Sequence, residues 1–289
     1  MNENILKINI ICSDSGWVYA KFISMFRKFS KHQIFVNSSE TCDITHCLPY
    51  YEQSEKTRHP CSVWLSHQEQ KKGLHEKFIY AAQNSDLSIS QSKKYMDIAT
   101  GYGAKNIIQI VPGVDLSKLS LRSTERQSSK NKLIVGYVGR QYTSSDRKNP
   151  QLLKQIGILP FVELKISGGL IKEYDLPKFY SHCDIIISPS FIEGGAMCII
   201  EGLAVGVPIL CFDDVGMANE FEKGVLKVKY GDGEAFTQRL KEFWDNKEHL
   251  EYRKIEAMLS LRKQVERFSW ENFVIKHDEA WLKLKNEKI

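Results

Sequence analysis

Short β-branched runs alternate with amphipathic stretches along most of the chain, and that alternation restricts the possible folds more than any other feature. Runs of this kind fit strands buried on both faces of a parallel sheet, and stretches of helical period between them supply the crossovers that cover those faces. In the first half the pattern predicts strands at 5–12, 33–36, 44–48, 62–66, 87–90 and 107–111, with helices at 17–29, 70–83 and 93–102. In the second half it predicts strands at 133–138, 162–167, 184–188 and 207–212, with helices at 150–156, 176–182, 195–205 and 234–244. Residues 250–284 read as two long helices with no further strand. The expected class is α/β.

The alternation breaks between the halves, where Ser120, Ser123, Ser128, Ser129, Lys130, Asn131 and Lys132 dominate, as in a linker. The expected organisation is a first domain over 1–118, a linker at 119–132, a second domain over 133–268 and a terminal helix at 269–289 crossing back to the first domain. Two Rossmann-like halves in tandem would present a cleft between the carboxyl ends of their sheets, where open α/β sheets bind ligands. With 289 residues, 42% of them hydrophobic and 26% charged, a disordered or collagen-like chain is excluded. The longest wholly apolar runs, such as Ile185-Ile186-Ile187, fall far short of a membrane span. The opening Met1-Asn2-Glu3-Asn4 lacks the basic start of a secretory signal, so a cytoplasmic location is expected.

Seven cysteines without a Cys-x-x-Cys pair indicate neither a disulfide framework nor a zinc ribbon. Cys42, His46 and Cys47 lie close in sequence but lack a second ligand pair, and Asp213-Asp214 lacks the Asp-x-Asp spacing that chelates a nucleotide-bound cation. No metal is expected. The net charge of +5 belongs to residues 1–130, with 17 Lys and Arg against 12 Asp and Glu. A solvated basic face and a patch attracting an anionic membrane, a glycolipid or nucleic acid are the two readings of that excess.

The strongest local signal runs from Ser188 to Pro208. A strand ends, Gly194-Gly195 follow, a helix opens, and Gly206-Val207-Pro208 turns into the next strand. Glycines at a helix start let backbone approach a ligand, and the free amides of the first turn favour a phosphate. Glu193 lies at that phosphate end, and Glu201 lies about two turns along the helix on the cleft-facing side. Either acid alone could be a solvated residue that complements the helix dipole. Both together with the two glycine turns point to a nucleotide-sugar site.

The stretch from Glu193 to Pro208 resembles the Glu-x7-Glu signature of retaining glycosyltransferases of the GT-B architecture, family 4. Val111-Pro112-Gly113-Val114-Asp115 resembles the Pro-Asn-Gly-Val-Asp segment that closes the family's first domain, without its Asn. Gly136-Tyr137-Val138-Gly139-Arg140, with Lys148 after it, resembles the family's phosphate clamp, and Arg147 is an alternative to Lys148. Phe179 to Asp184 resembles the segment before the signature strand, and Phe268-Ser269-Trp270-Glu271 the opening of the terminal helix. In the first half, Gly16 stands where the family's glycine loop approaches the donor, and Val63 to His67 resembles the strand that delivers a His to the donor sugar. Val215 to Glu220 resembles a loop near that sugar, with Glu220 as a lesser contact or a helix cap. The stretch before the linker is shorter than the family's first domain.

The resemblance implies two Rossmann-like domains facing across a cleft and transfer, with retention and without a metal, from a UDP- or GDP-sugar to a hydroxyl acceptor. No other cofactor is implied. Arg140 and Lys148 would balance the leaving diphosphate. Gly139, Gly194, Gly195, Ala196 and Met197 would approach it through backbone, Glu201 would hold the ribose, and Glu193 and His67 would meet the sugar. The implied acceptor is a cell-surface glycan or a lipid-linked intermediate, with peripheral contact to an anionic membrane. A modified DNA base is a rival acceptor. A nucleotide-sugar epimerase and a catalytically silent nucleotide-binding or partner-binding protein are the competing functions.

Overall fold

The computed structural model describes residues 5–13, 17–69, 73–125, 131–140 and 146–287. The first half runs β1 (Lys7–Ile11), α1 (Trp17–Phe29), β2 (Gln33–Val36), β3 (Ile44–Cys47), β4 (Cys61–Leu65), α2 (Leu74–Asn84), β5 (Leu87–Ser90), α3 (Lys93–Gly101) and β6 (Ile107–Gln109). The second runs β7 (Leu133–Tyr137), α4 (Pro150–Gly157), β8 (Val162–Ile166), α5 (Leu176–Ser181), β9 (Ile185–Ser188), α6 (Met197–Val205), β10 (Ile209–Phe212) and β11 (Val225–Val228). It continues through α7 (Gly233–Asp245), α8 (Glu248–Glu251) and α9 (Ile255–Val265), and α10 (Trp270–Glu287) follows. Two compact units result: Met1–Gly113 with Phe268–Ile289, and Val114–Arg267. Among the described residues no helix is long and apolar enough to cross a membrane.

Each unit is a Rossmann-like domain built on a parallel sheet, ordered β2-β1-β3-β4-β5-β6 in the first and β11-β10-β9-β7-β8 in the second. Counted within each unit, both follow the doubly wound order 2-1-3-4-5, the first with one strand added.

In the first unit the period of two sends successive side chains to opposite faces. Cys47, Cys61, Val63 and Leu65 pack with Phe78, Ala81, Tyr95 and Ala99 of α2 and α3. The other face carries His46, Ser62 and Trp64, covered by α1 and α10. Phe26 packs against Phe273 and Trp281 with ring centroids 5.5 and 5.3 Å away, and Trp281 donates from Nε1 to Ser62 Oγ at 3.0 Å. Asp278 fastens α10 to the end of α1, accepting from Ser30 Oγ at 2.7 Å and Lys31 N at 2.9 Å. A Cβ on Gly113 would stand 2.3 Å from the Trp270 nitrogen, so only glycine lets the chain pass the start of α10 this closely.

Because His46 and Cys47 face opposite sides of β3, they cannot share a metal. Among the described residues no group of three or more His, Cys, Asp or Glu is arranged to hold one.

His46 and His277 are buried together, ring centroids 5.8 Å apart. His277 donates from Nδ1 to Phe273 O at 2.8 Å, His46 Nδ1 meets Ser62 Oγ at 2.9 Å, and neither Nε2 has a partner among the described residues. Burial opposes charging of both rings, holding His277 down to about 3 and His46 well below the usual 6.5, the latter also through His277. The unfolded chain therefore binds protons as pH falls through 6.5 while the folded chain does not. Stability is complete above that value and declines below it, by about 1.4 kcal/mol per pH unit for each ring. Urea unfolding at pH 5 should show about 2 kcal/mol less stability than at pH 7.5 from His277 alone, with His46 adding to the loss, and His277→Phe should reduce the difference.

In the second unit α6 is nearly all buried, from Cys198 through Val205 except Glu201, and it ends at Gly206, whose φ of +84° is the left-handed C-terminal turn that glycine favours. Residues 119–125, expected to be linker, are anchored to this unit. Arg122 is buried; its backbone nitrogen donates to Val205 O at 3.0 Å, and its guanidinium donates to Cys183 O at 2.7 Å and Tyr252 O at 2.9 Å. The serine-rich composition around it conceals that one deeply held side chain. Strand β11 departs from the expected pattern: Lys227 interrupts its apolar run, as an edge strand tolerates. The expected helix at 195–205 begins at Met197, leaving both glycines in the loop.

Candidate functional site

In a 2-1-3-4-5 sheet the crevice opens where the connections leave strands 1 and 3 in opposite directions. In the second unit these are the carboxyl ends of β7 and β9, which carry Gly139-Arg140 and the loop from Pro189 to Ala196. Gly139 donates from its nitrogen to Ser167 Oγ at 3.2 Å, and Arg140 is exposed. The stem of Arg140 lies over Gly169, where a Cβ would stand 2.6 Å from Arg140 Cγ and where φ is +74°. Glycine at 169 thus makes room for Arg140.

The one-turn segment Asp146–Lys148 is tied to the β9 loop by Arg147 O, which accepts from Phe191 N at 2.8 Å and Ile192 N at 3.4 Å. Asn149 then closes the segment in the left-handed region at φ 51°, and its side chain caps α4 by accepting from Leu152 N at 3.2 Å. That backbone path delivers Lys148 Nζ to Glu193 Oε2 in an ion pair largely sheltered from solvent. Arg147 contributes its carbonyl to this arrangement, and Lys148 contributes its ammonium.

Glu193 is also fixed from the other side. Gly216 donates from its nitrogen to Glu193 O at 3.1 Å, and a Cβ at 216 would stand 2.0 Å from Gly194 O. Glycine at 216 therefore lets the turn Gly216–Glu220 seat against Glu193-Gly194. Within that turn Glu220 is half-buried, and its carbonyl accepts from Arg267 Nη2 at 2.7 Å.

Helix α6 opens at Ala196, which has no side chain able to cap it, and its first turn holds no acid. Its first amides and the positive end of its dipole thus stand beside Gly194-Gly195 with no cap from Ala196 and no acid in the first turn. Glu201, half-buried, accepts from Tyr180 Oη at 2.5 Å. Burial, and after it the Glu201 charge, pushes the phenol well above its usual range, so Tyr180 remains a donor. Cys198 lies near both Glu193 and Glu201; burial first and those carboxylates next push its thiol up, so it stays protonated.

The structure thus gathers Gly139, Arg140, Lys148, Glu193, Gly194, Gly195, Ala196, Met197 and Glu201 around the carboxyl ends of β7 and β9. His67 belongs to the first unit, where it follows β4, is half-buried, and places Nε2 3.3 Å from Glu69 Oε1. Gly16 lies outside the described residues. Tyr180 and Gly216 act as supports that the sequence pattern does not reveal. Both stand inside segments that carry the resemblance, but Tyr180 has the look of an ordinary core aromatic. Ser190 is equally hidden in the sequence, and its buried hydroxyl has no partner among the described residues.

Residues 133–258 match the family model of glycosyl transferases group 1. Over 104 residues the chain is 27% identical to O-antigen chain mannosyltransferase B of Escherichia coli, a stretch covering 36% of this chain and about a quarter (26%) of that enzyme. Among solved structures, the sucrose-phosphate synthase of Thermosynechococcus elongatus superposes with a TM-score of 0.73 at 14% identity, covering 97% of this chain and 99% of that one. Anabaena HepE in complex with UDP-glucose gives a TM-score of 0.72 at 12% identity, covering 96% and 100%. The chain therefore has the GT-B fold of these structures, and residues 133–258 of its second unit match the glycosyl transferases group 1 model.

Proposed function

We propose that the chain is a retaining glycosyltransferase that moves a sugar from a UDP- or GDP-sugar to a hydroxyl of a glycan or lipid-linked acceptor, without a metal. The observation carrying this reading is the sheltered Lys148–Glu193 pair beside the uncapped start of α6, with Glu201 held by Tyr180 farther along the same helix.

In this reading the diphosphate lies against Gly139 and the amides from Gly194 to Met197. As the anomeric carbon parts from the phosphate oxygen, an electron pair stays on the diphosphate. Lys148 and Arg140 balance that charge in a place where a divalent cation would otherwise be needed. The acceptor oxygen bonds to the same carbon from the face the phosphate leaves and gives its proton to the departing phosphate oxygen, or transfer runs through an equivalent two-step route. Glu193, its charge partly offset by Lys148, accepts hydrogen bonds from the sugar, and Glu201 accepts from the ribose hydroxyls while Tyr180 fixes its orientation. The mannosyltransferase relative and the UDP-glucose bound to HepE support a nucleotide-sugar donor and a polysaccharide-type acceptor.

The test is a thermal-shift screen with UDP and GDP followed by incubation with the matching nucleotide sugars. A nucleotide at a hundred times its Kd should add about 2.7 kcal/mol to the folded state, and its sugar should be transferred or slowly hydrolysed. Absence of both effects across the panel would refute the assignment, and binding without turnover would favour a silent nucleotide-binding protein.

A further inference from the structure

Among the described residues, strand β8 forms one edge of the second unit's sheet and pairs with β7 alone. Leu133 donates from its nitrogen to Phe161 O at 2.7 Å and Ser167 donates to Tyr137 O at 3.0 Å. In a parallel ladder alternate residues direct both backbone groups to the same neighbour. Phe161, Glu163, Lys165 and Ser167 therefore face β7, and Leu164 and Ile166 turn their N–H and C=O groups outward. Val162 also turns outward, with its N–H bonded to Leu159 O at 3.0 Å and its carbonyl directed to the open side.

The five residues Val162-Glu163-Leu164-Lys165-Ile166 are chemically self-complementary when read in opposite directions. Laid antiparallel on a second copy about a two-fold axis at Leu164, Leu164 meets Leu164 in a hydrogen-bonded pair, because those are the groups that face outward. Glu163 then stands opposite Lys165 of the other copy, twice, in the non-hydrogen-bonded pairs whose side chains approach more closely. Val162 meets Ile166. Within one chain Glu163 and Lys165 already lie 3.3 Å apart on the same face, 40% and 37% exposed.

The turns beside the strand add apolar surface. Ile158 before β8 is 82% exposed, and Leu170 and Tyr174 after it are 90% and 72% exposed. Antiparallel pairing carries the Ile158 end of one copy to the Leu170 end of the other, so these side chains are covered in the same step.

We infer that β8 is a homodimerisation edge, on which two copies join their five-stranded sheets into one continuous ten-stranded sheet. The occupant follows from the charge order along the strand, which is complementary to itself in the one register that also pairs the free backbone groups. An isologous contact of this kind closes on itself and leaves no β8 edge exposed to further association.

Sedimentation equilibrium of the full chain from about 1 to 100 μM tests the contact, with the charge pattern as the variable. The native chain should be a dimer. Glu163→Lys alone and Lys165→Glu alone each place like charges opposite one another twice, and each should weaken self-association about tenfold or more. A mixture of the two variants restores both opposite-charge pairs and should form a heterodimer with near-native affinity, which also shows that both variants fold. The double variant Glu163→Lys with Lys165→Glu should dimerise with itself. A native chain that is monomeric throughout the range, or a Glu163→Lys variant that dimerises as well as the native chain, would overturn the inference.

Discussion

Lys148→Ala is expected to lower kcat/KM for sugar transfer by about 10²–10³, most of it in kcat, while the protein remains folded. The size follows from what removing one preorganised charge-stabilising group costs when charge develops in a sheltered site, about 2.7–4 kcal/mol. In the proposed reading Lys148 is such a group, because Arg147 O ties its segment to Phe191 and Ile192 and its ammonium rests on Glu193. Glu193→Gln should lower transfer by a similar factor. Because the two side chains touch, the double variant should lose much less than the product of the two single losses. Steady-state kinetics with the donor found by the nucleotide screen, set beside thermal unfolding of each variant, separates the cases. Near-native transfer by both single variants would remove Lys148 and Glu193 from the proposed roles, and a loss that tracks unfolding would make the pair merely structural.

The features legible in the sequence are those that depend on neighbours along the chain. Ile185-Ile186-Ile187 announces a buried strand because all four residues of β9 are covered, and Gly194-Gly195 before an apolar run announces a loop and helix start because the pattern lies within a few residues. The relation between Lys148 and Glu193 is beyond reach, since it depends on a carbonyl at 147 accepting from a loop more than forty residues later. Lys227 shows a second limit: one charged side chain in an edge strand breaks the apolar run by which strands are recognised, yet costs the sheet little because it points to solvent. Arg122 shows a third. Its serine-rich surroundings have the composition of a tether, and a single buried guanidinium leaves no periodic trace in sequence.

Asp184→Ala should be the most destabilising single substitution in the second unit, at about 3–5 kcal/mol, because it strips the anion from a buried ion pair and leaves the cation in place. Asp184 has no exposed surface. One carboxylate oxygen accepts from Ile134 N at 3.0 Å, and the other accepts from Arg253 Nε at 3.2 Å and Nη2 at 3.0 Å. Arg253 in turn reaches Glu125 O at 3.1 Å, so the carboxylate fastens β7, the start of β9 and the segment before residue 126 at one point. Arg122 lies in the same interior. Burial and then the charge of Arg253 pull its guanidinium down to about 9, and Asp184 works against them. Without Asp184 two guanidiniums face each other in a place where neither is well hydrated. An exposed pair offers the control: Lys241 and Asp245 lie one helical turn apart on α7, more than half exposed, and Asp245→Ala should cost no more than about 0.5 kcal/mol. Urea unfolding of the two variants beside the native chain measures the contrast. Equal midpoints for Asp184→Ala and Asp245→Ala would mean that water enters the Arg122–Arg253 interior freely and that the buried Asp184–Arg253 pair adds no more to stability than an exposed one.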